Sequence, residues 1–307
     1  MNEKRAIKLN ALAILALAVL LTACTRPSPV VIDSPEEAVQ ALAGVIGQND
    51  PLRVEEIFGP GSLELLQSGD ETADHEDFAR VGEMIVAGVE FHDFDENTKV
   101  AMLGEEGWPL PIPLVRDGDG WRFDIVTGRE ELLNRRIGNN ELWTLTALHE
   151  VVDAQREYRS AGRNGSPPAY AQRFRSSEGR RDGLYWPAAE DEELSPLGDL
   201  LAESEAQGPD PRPFHGYFYR MLTGRGPHAP GGERDCLDEQ GLLRSCFGVI
   251  AWPAKYGNSG VMTFITDQRG IVFQKDLGPD TGQSVAAIGS YDPGPEWSPT
   301  PDRVLEH

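Results

Sequence analysis

The spacing of hydrophobic residues divides the chain into sections of different secondary structure. Between residues 34 and 87 apolar side chains recur every three or four positions, which predicts amphipathic helices. From residue 89 to residue 123 the period falls to two, which predicts antiparallel strands. The sequence Asp117-Gly118-Asp119-Gly120 is typical of a hairpin turn between the last two strands. We therefore expect helices followed by a small sheet in the first part of the chain.

The pattern of residues 140–163 predicts one long helix. A charged segment that is also predicted to be helical, residues 128–139, precedes it. Val151 and Tyr158 lie in a narrow apolar arc of the helical wheel, and polar residues lie opposite. The arc also contains Trp143, Ala147 and Ala154, with Leu148 and Val152 at its flanks. Because an amphipathic helix buries its apolar face, we expect a sheet to cover this arc.

The last part of the chain predicts loops and then strands. Glycine and proline recur throughout residues 164–232, which indicates irregular structure with short elements. The sequence Asp267-Gln268-Arg269-Gly270 is typical of a hairpin turn. Four segments have the composition of strands: residues 217–222, 247–252, 261–266 and 271–275.

These patterns predict an α+β protein with two domains. Residues 34–128 are expected to combine helices with an antiparallel sheet. Residues 129–297 are expected to pack the long helix on a small antiparallel sheet, and residues 298–307 form a tail. A chain of 307 residues is long enough for two such cores.

The N-terminus has the features of an export signal. Basic residues precede an apolar run at residues 11–21, which is shorter than the roughly 20 residues of a membrane span. The run ends in Leu21-Thr22-Ala23-Cys24, which resembles the bacterial lipobox. The resemblance implies removal of residues 1–23 and attachment of acyl chains at Cys24, which would anchor the protein stably in a membrane.

Residues 24–33 then form a proline-containing tether between the lipid and the fold. Thr25 follows the lipidated cysteine, whereas retention in the inner membrane is associated with aspartate at this place. The resemblance therefore implies an outer-membrane lipoprotein that faces the periplasm. An ordinary signal peptide with an accidental cysteine is the alternative.

Strong acidity limits the partners. The formal charge is −22, and because the leader contributes +2 (Lys4, Arg5 and Lys8 against Glu3), the mature chain carries −24. Such a field repels nucleic acids, so we expect no nucleic-acid partner. A contribution to solubility explains the negative charge. Binding of a basic partner or a cation is the more specific alternative.

Cys236 and Cys246 are the two cysteines left after Cys24. In an oxidising compartment we predict a disulfide across a hairpin that turns at Gln240-Gly241. Closing so short a loop would contribute about 3 kcal/mol in the chain-entropy model. Two buried free thiols are the alternative.

Two parts of the chain resemble known folds. The order of helices and strands in residues 34–128, ending in "PLVRDGDGWRFD", resembles the nuclear-transport-factor-like domains of bacterial lipoproteins. The resemblance implies a cone-like arrangement, which in such domains often encloses a pocket. The segments "GYFYRML", "VIAWPAKYG" and "GVMTFITDQRGIVFQKDLG" are similar to the heads of pilins and pseudopilins. Pilins assemble through a hydrophobic stem, but here Arg129, Glu130, Glu131, Arg135 and Arg136 stand in that place. Filament assembly by that route is therefore not expected.

The whole mature chain resembles an uncharacterised bacterial envelope family, the domain-of-unknown-function group 2950. Six motifs carry the resemblance in order: "WPLPIPLVRDGDGWRFD", "GREELLNRRIGNNEL", "VVDAQREY", "GLYWPA", "HGYFYRML" and "GVMTFITDQRGIVFQKDLGPDT". It implies a secreted or lipid-anchored protein and brings no activity, catalytic residue or cofactor.

No catalytic or metal-binding motif is recognisable, and no cofactor is expected. His215, Tyr217 and Trp186 are the best candidates for a polar pocket, with an aromatic core around one satisfied histidine as the alternative. We expect a non-enzymatic lipoprotein that serves protein contact or envelope assembly, with an envelope protein as partner. A module that binds a small ligand or cation in the first domain is the alternative, and a periplasmic hydrolase is third.

The lipobox predicts the effect of one substitution. Cys24→Ser removes the thiol that would receive the lipid, so the precursor should stay unprocessed and the protein should leave the membrane fraction. Immunoblotting of fractionated cells, with and without globomycin, measures both effects. Unchanged processing and membrane association in the variant would show that Cys24 is not lipidated.

Overall fold

The computed structural model describes residues 29–46, 51–162, 168–189, 192–208 and 210–301. The predicted signal peptide, the lipidation site Cys24 and the first part of the tether lie outside these residues.

The first half contains four helices and a five-stranded antiparallel sheet with the order β1-β2-β4-β5, in which β3 pairs with β2. Ile32 joins β5 through two backbone hydrogen bonds with Trp121, so the tether reaches the fold at this strand. The elements are α1 (Pro35–Ile46), α2 (Pro51–Phe58), α3 (Ser62–Leu66), α4 (Glu71–Ala87), β1 (Val89–Asp95), β2 (Thr98–Leu103), β3 (Trp108–Pro109), β4 (Leu114–Asp117) and β5 (Gly120–Phe123).

Capping residues decide where these helices begin. The Ser34 hydroxyl accepts a hydrogen bond from the Glu37 N–H, which caps α1. Asp70 accepts from the Ala73 N–H at 3.0 Å and caps α4, which begins at Glu71. The two-residue hairpin at Gly118-Asp119 is confirmed.

Prolines interrupt the sheet. The chain leaves β3 after Pro109 and rejoins the sheet only at Leu114, because Pro111 and Pro113 lack the N–H groups that a strand would use. Leu110 and Ile112 remain buried in the core although they lie outside any strand. The alternation of apolar residues therefore marked core positions here and not a continuous strand.

One helix, α5 (Ile125–Ala161), spans 37 residues and belongs to both halves. It begins fifteen residues before the predicted start at residue 140 and absorbs the charged segment before it. Leu132 packs on the core of the first half, and Leu148, Val151 and Val152 form the core of the second half. The predicted domain boundary at residue 128 therefore falls inside the first turn of this helix.

In the second half α5 lies on a five-stranded antiparallel sheet with the order β13-β11-β10-β9-β6. Tyr217, Tyr219 and Phe264 of the sheet are fully buried against the predicted arc of α5, so the predicted packing is confirmed. A small sheet with the order β12-β7-β8 lies beside it. The elements are α6 (Asp199–Glu203), β6 (Tyr217–Leu222), β7 (Gly224–Arg225), β8 (Arg234–Asp235), β9 (Gly248–Pro253), β10 (Met262–Asp267), β11 (Phe273–Asp276), α7 (Thr281–Ala286), β12 (Ser290–Tyr291) and β13 (Ser298–Pro299).

The fold is therefore α+β, as the sequence predicts. The predicted disulfide between Cys236 and Cys246 is also confirmed, with the two Cα atoms 5.1 Å apart. An antiparallel bridge between Leu237 and Leu243 closes the hairpin, and Gly241 takes a positive φ of 74° in its turn. Within the described parts of the chain, no helix combines the length and apolar character needed to cross a membrane.

Arg136 in the middle of α5 joins the two halves. Its guanidinium donates to the carbonyls of Leu65 and Leu66 at the end of α3, at 2.8 and 2.7 Å, and to Asn258 Oδ1 of the second half. Asn258 in turn donates to the Gln67 carbonyl at 3.3 Å. Because the last carbonyls of a helix have no partner within it, a cation here satisfies two of them.

Replacement of Arg136 by methionine keeps the length of the side chain and removes these hydrogen bonds. We expect a loss of about 3 kcal/mol in the free energy of unfolding, since hydrogen bonds to charged groups contribute about 1.5–3 kcal/mol each. Urea denaturation followed by circular dichroism measures it. Arg129→Met is the matched control, because Arg129 lies on the same helix and is exposed. Equal stability of the two variants would contradict the role given to Arg136.

Candidate functional site

The three residues predicted to share a pocket have separate surroundings. Trp186 donates its indole N–H to the Glu193 carbonyl at 3.0 Å and lines a large cleft. Tyr217 is fully buried and donates its hydroxyl to the Met262 carbonyl at 3.0 Å. Burial and the nearby Glu141 raise the pKa of Tyr217 well above its usual range. His215 lines a different hollow of about 450 Å³ between α4 and the loop before β6.

His215 occupies a strained position. Its φ is +47°, the one positive value that a non-glycine residue takes in the described chain. The imidazole stacks on Trp143 with ring centroids 4.8 Å apart, and Phe214 meets it edge-on at 4.4 Å. The next residue, Gly216, donates its N–H to Asp70 Oδ2 at 3.2 Å. The loop before β6 is therefore fixed to the residue that caps α4.

Gly216 also shows why this loop approaches α5 so closely. A Cβ atom there would lie 2.6 Å from Asn140 Nδ2, so the backbone passes where no side chain fits. Asn140 donates to the Ser259 carbonyl at 2.8 Å, which fixes the amide. Burial lowers the pKa of His215, although Asp70, Glu76 and Asp77 act in the opposite direction.

An open cleft of about 1440 Å³ lies at the edge of the main sheet. It lies between the loop that precedes Trp186 and the chain that follows α6, over the edge strand β6. Six arginines and five acidic residues are among the described residues that line it: Arg173, Arg175, Arg180, Arg181, Arg212, Arg220, Glu178, Glu192, Glu203, Glu205 and Asp210. The whole chain has 28 basic and 50 acidic residues, so the lining of the cleft is much richer in positive charge than the molecule as a whole.

Aromatic rings support two of these arginines. The Arg175 guanidinium lies 4.6 Å from the ring centroid of Tyr185, and its Nη2 lies 3.4 Å from Glu203 Oε1. The Arg181 guanidinium lies 5.3 Å from the ring centroid of Trp186. Arg181 Nη1 also donates to Glu193 Oε2 at 2.9 Å, so each of these two guanidinium groups is held by an aromatic face and a carboxylate.

The other arginines differ in how they are held. Arg173 donates to Ser177 Oγ at 2.9 Å, and Arg212 lies 3.6 Å from Asp210 at the exposed rim. Arg180 is exposed beside Arg181. Arg220 turns away from the cleft, since its guanidinium donates to the carbonyls of Val285 and Ile288.

The loop that carries four of the arginines has a defined shape. Asp182 accepts hydrogen bonds from the N–H and the hydroxyl of Ser177 at 2.7 and 3.0 Å. Gly183 lies directly on the backbone of Arg175, where a Cβ atom would come within 2.7 Å of the carbonyl carbon. The arginines therefore project from a loop that the backbone holds in place.

Glu205 ties the opposite wall to the sheet. It forms a parallel bridge with Tyr219 of β6, and its carboxylate accepts from the Arg175 N–H at 3.5 Å. Burial raises the pKa of Glu205, because few charged partners compensate the loss of water.

Sequence reasoning missed this cleft. The signal was present as "RFRSSEGRR", which places four arginines within residues 173–181 of an acidic chain. The frequent glycine and proline of residues 164–232 predict an irregular backbone, and that prediction carries no information about how the arginine side chains are grouped.

A separate cavity of about 240 Å³ lies in the first half beneath α4. The alternative prediction of a small-ligand or cation site also placed that site in this part of the chain. Elsewhere, exposed His228 lies 3.1 Å from Asp292 Oδ2. Among the described residues, no group of three or more His, Cys, Asp and Glu side chains is arranged to hold a metal ion.

The lowered pKa of His215 predicts an effect of pH on stability. Because the unfolded chain binds the proton more readily, the stabilising effect is complete above pH 6.5 and is lost as the pH falls through the folded value. His215→Asn, which tolerates positive φ, should reduce the loss of stability between about pH 7.5 and about pH 5. Urea denaturation at both pH values measures this difference. His75→Asn, at an exposed position of α4, is the control and should leave the difference unchanged.

Comparison with known proteins identifies the family alone. Residues 30–300 match the family model described as "Protein of unknown function (DUF2950)". No curated protein and no solved structure matches the chain, so the resemblances to pilin heads and to nuclear-transport-factor-like domains are not confirmed. The match covers nearly all of the fold described above and agrees with the resemblance of the six motifs. The chain belongs to the family of proteins of unknown function DUF2950.

Proposed function

We propose that this protein is a non-enzymatic, lipid-anchored protein of the cell envelope that binds an acidic segment of another envelope protein in the arginine-lined cleft. The observation that carries the proposal is the concentration of arginine side chains around one open cleft of an otherwise acidic molecule.

The arginine and aromatic residues of the cleft are of the types that protein interfaces favour. Arginine, tyrosine and tryptophan are enriched at the centres of protein contacts, where they combine apolar area with directed hydrogen bonds. Tyr185 and Trp186 supply the aromatic surfaces beneath Arg175 and Arg181. No lysine lines the described part of the cleft, which agrees with the depletion of lysine at interface centres.

Charge favours an acidic partner. The field of the molecule repels anionic groups elsewhere, so Arg173, Arg180 and Arg212 at the rim provide the favourable approach for carboxylates. Their present partners are a hydroxyl for Arg173 and an exposed carboxylate for Arg212. Exposed ion pairs of this kind contribute only about 0.2–1 kcal/mol, so incoming carboxylates can replace them.

The size of the cleft fits a peptide segment better than a compact metabolite. Its volume of about 1440 Å³ exceeds the roughly 300–1,000 Å³ of typical small-molecule pockets. Its walls come from two loop segments fixed to the sheet, so the surface is formed before a partner arrives.

Site-specific photocrosslinking in intact cells tests the proposal. A photoreactive amino acid at Gln207, which is exposed in the cleft, should give a reproducible product with one envelope protein, and the captured peptide should be acidic. The same residue at Val126, which is 81% exposed at the start of α5, is the control and should not give this product.

Charge reversal makes the test specific. The pair Arg173→Glu and Arg180→Glu should lower the yield from Gln207 roughly threefold or more, because rim charges set the rate of association. Arg129→Glu outside the cleft should leave the yield unchanged. An equal yield in both variants, a non-acidic captured segment, or a product formed only with a second copy of this chain would overturn the proposal.

A further inference from the structure

Helix α4 packs loosely for an amphipathic helix of 17 residues. Ile85 is its one buried residue. Phe78, Val81 and Met84 face the core of the first half, yet they are only partly buried. Their apolar surface borders the cavity of about 240 Å³, so the helix forms a roof over empty space.

The other walls of this cavity come from α1, α2, α5 and the segment after β3. Leu42 of α1 and Phe58 of α2 form one side, and both are at most 3% exposed. Leu110 and Ile112 come from the irregular segment after β3, where the prolines hold them toward the interior. Leu132 of α5 completes the floor. The apolar lining is therefore preformed on all sides except the roof.

The charged residues of the cavity lie where α4 and α5 meet. Arg80 lines it from α4, and Arg135 and Arg136 line it from α5, against Asp74 and Asp77. Arg135 holds its guanidinium 5.0 Å from the ring centroid of Trp108 and donates to the Pro109 carbonyl. Arg135 Nε also donates to Glu131 Oε1 at 2.7 Å, which leaves Arg80 and Arg136 against Asp74 and Asp77 beside the apolar interior.

The ion pairs around the cavity leave Arg80 able to bind a further carboxylate. Asp74 is occupied, because both of its oxygens accept from the Ser68 N–H at 3.0 Å. Asp77 lies 3.5 Å from Arg80, and both side chains are more than 60% exposed. Such a pair contributes little, so Arg80 can exchange it for another carboxylate.

We propose that the cavity beneath α4 binds a small amphipathic anion, with an aliphatic or aromatic body among the apolar side chains and a carboxylate at Arg80. An apolar cavity of about 150 Å³ is known to hold benzene, so this one accommodates roughly ten non-hydrogen atoms. The site is independent of the arginine-lined cleft, since none of the residues that the structure describes lines both.

Octanoate is a suitable probe, with octanol and octylammonium as neutral and cationic counterparts. Isothermal titration calorimetry on the purified protein should show that octanoate binds most tightly and octylammonium least. Octanoate should also raise the melting temperature, as any ligand of the folded state does. Stronger binding of octylammonium than of octanoate, or no binding of any of the three probes, would overturn the proposal.

Two substitutions on α4 locate the site. Val81→Phe fills the cavity and should weaken octanoate binding about tenfold or more. Val86→Phe is the matched control, because Val86 is 86% exposed on the same helix, and it should bind as the original protein does. Equal binding by both variants would show that the probe lies elsewhere.

Arg80→Gln separates the charge from the cavity, and because the side chain is exposed the variant should fold normally. It should weaken octanoate binding and leave octanol binding unchanged. An equal loss for both probes, or none for octanoate, would remove Arg80 from the site. Because these variants leave the cleft intact, crosslinking from Gln207 should persist in all of them.

Discussion

The hydrogen bonds of Arg136 are the constraint on which the relation of the two halves depends. One guanidinium satisfies the terminal carbonyls of α3 and holds Asn258 of the second half. Burial lowers the pKa of Arg136, partly offset by Asp74 and Asp77. The guanidinium stays charged because the ordinary pKa of arginine is far above neutral pH. A charge in this position stabilises the junction only if every donor finds its acceptor, so the geometry of the junction is narrowly defined.

Other polar groups on α5 position the loops around it in the same way. Asn140 fixes the turn at Ser259, and Glu141 accepts from the N–H groups of Val261 and Met262. Gln155, which is fully buried, donates to the Ala171 carbonyl and accepts from the Ala171 N–H, both at 2.8 Å. That contact lies just before the arginine-bearing loop. The second half thus gains its shape from a few buried side chains of one helix as much as from its sheet.

Local patterns in the sequence were sufficient to predict the helices and strands but not the cleft or the cavity. The arc through Val151 and Tyr158, the strands and the disulfide followed from periodicity and spacing. The same spacing predicted a strand through Leu110 and Ile112 that does not form, because the neighbouring prolines lack N–H groups. Both side chains are nevertheless buried. The spacing also gave no account of Asn140 and Gln155, because a polar residue on a helical wheel is normally placed in water. The cleft joins segments some thirty residues apart, and only the folded chain brings Arg175 near Glu203.

The length of α5 has a consequence for the reach of the molecule. The chain joins the fold at Ile32, beside β5 and the start of this helix, whereas the Tyr158 hydroxyl near its other end donates to the Arg181 carbonyl of the cleft loop. A rise of 1.5 Å per residue separates these two ends by roughly 50 Å. The helix therefore acts as a rigid spacer, so the fold itself sets the distance between Ile32 and the cleft.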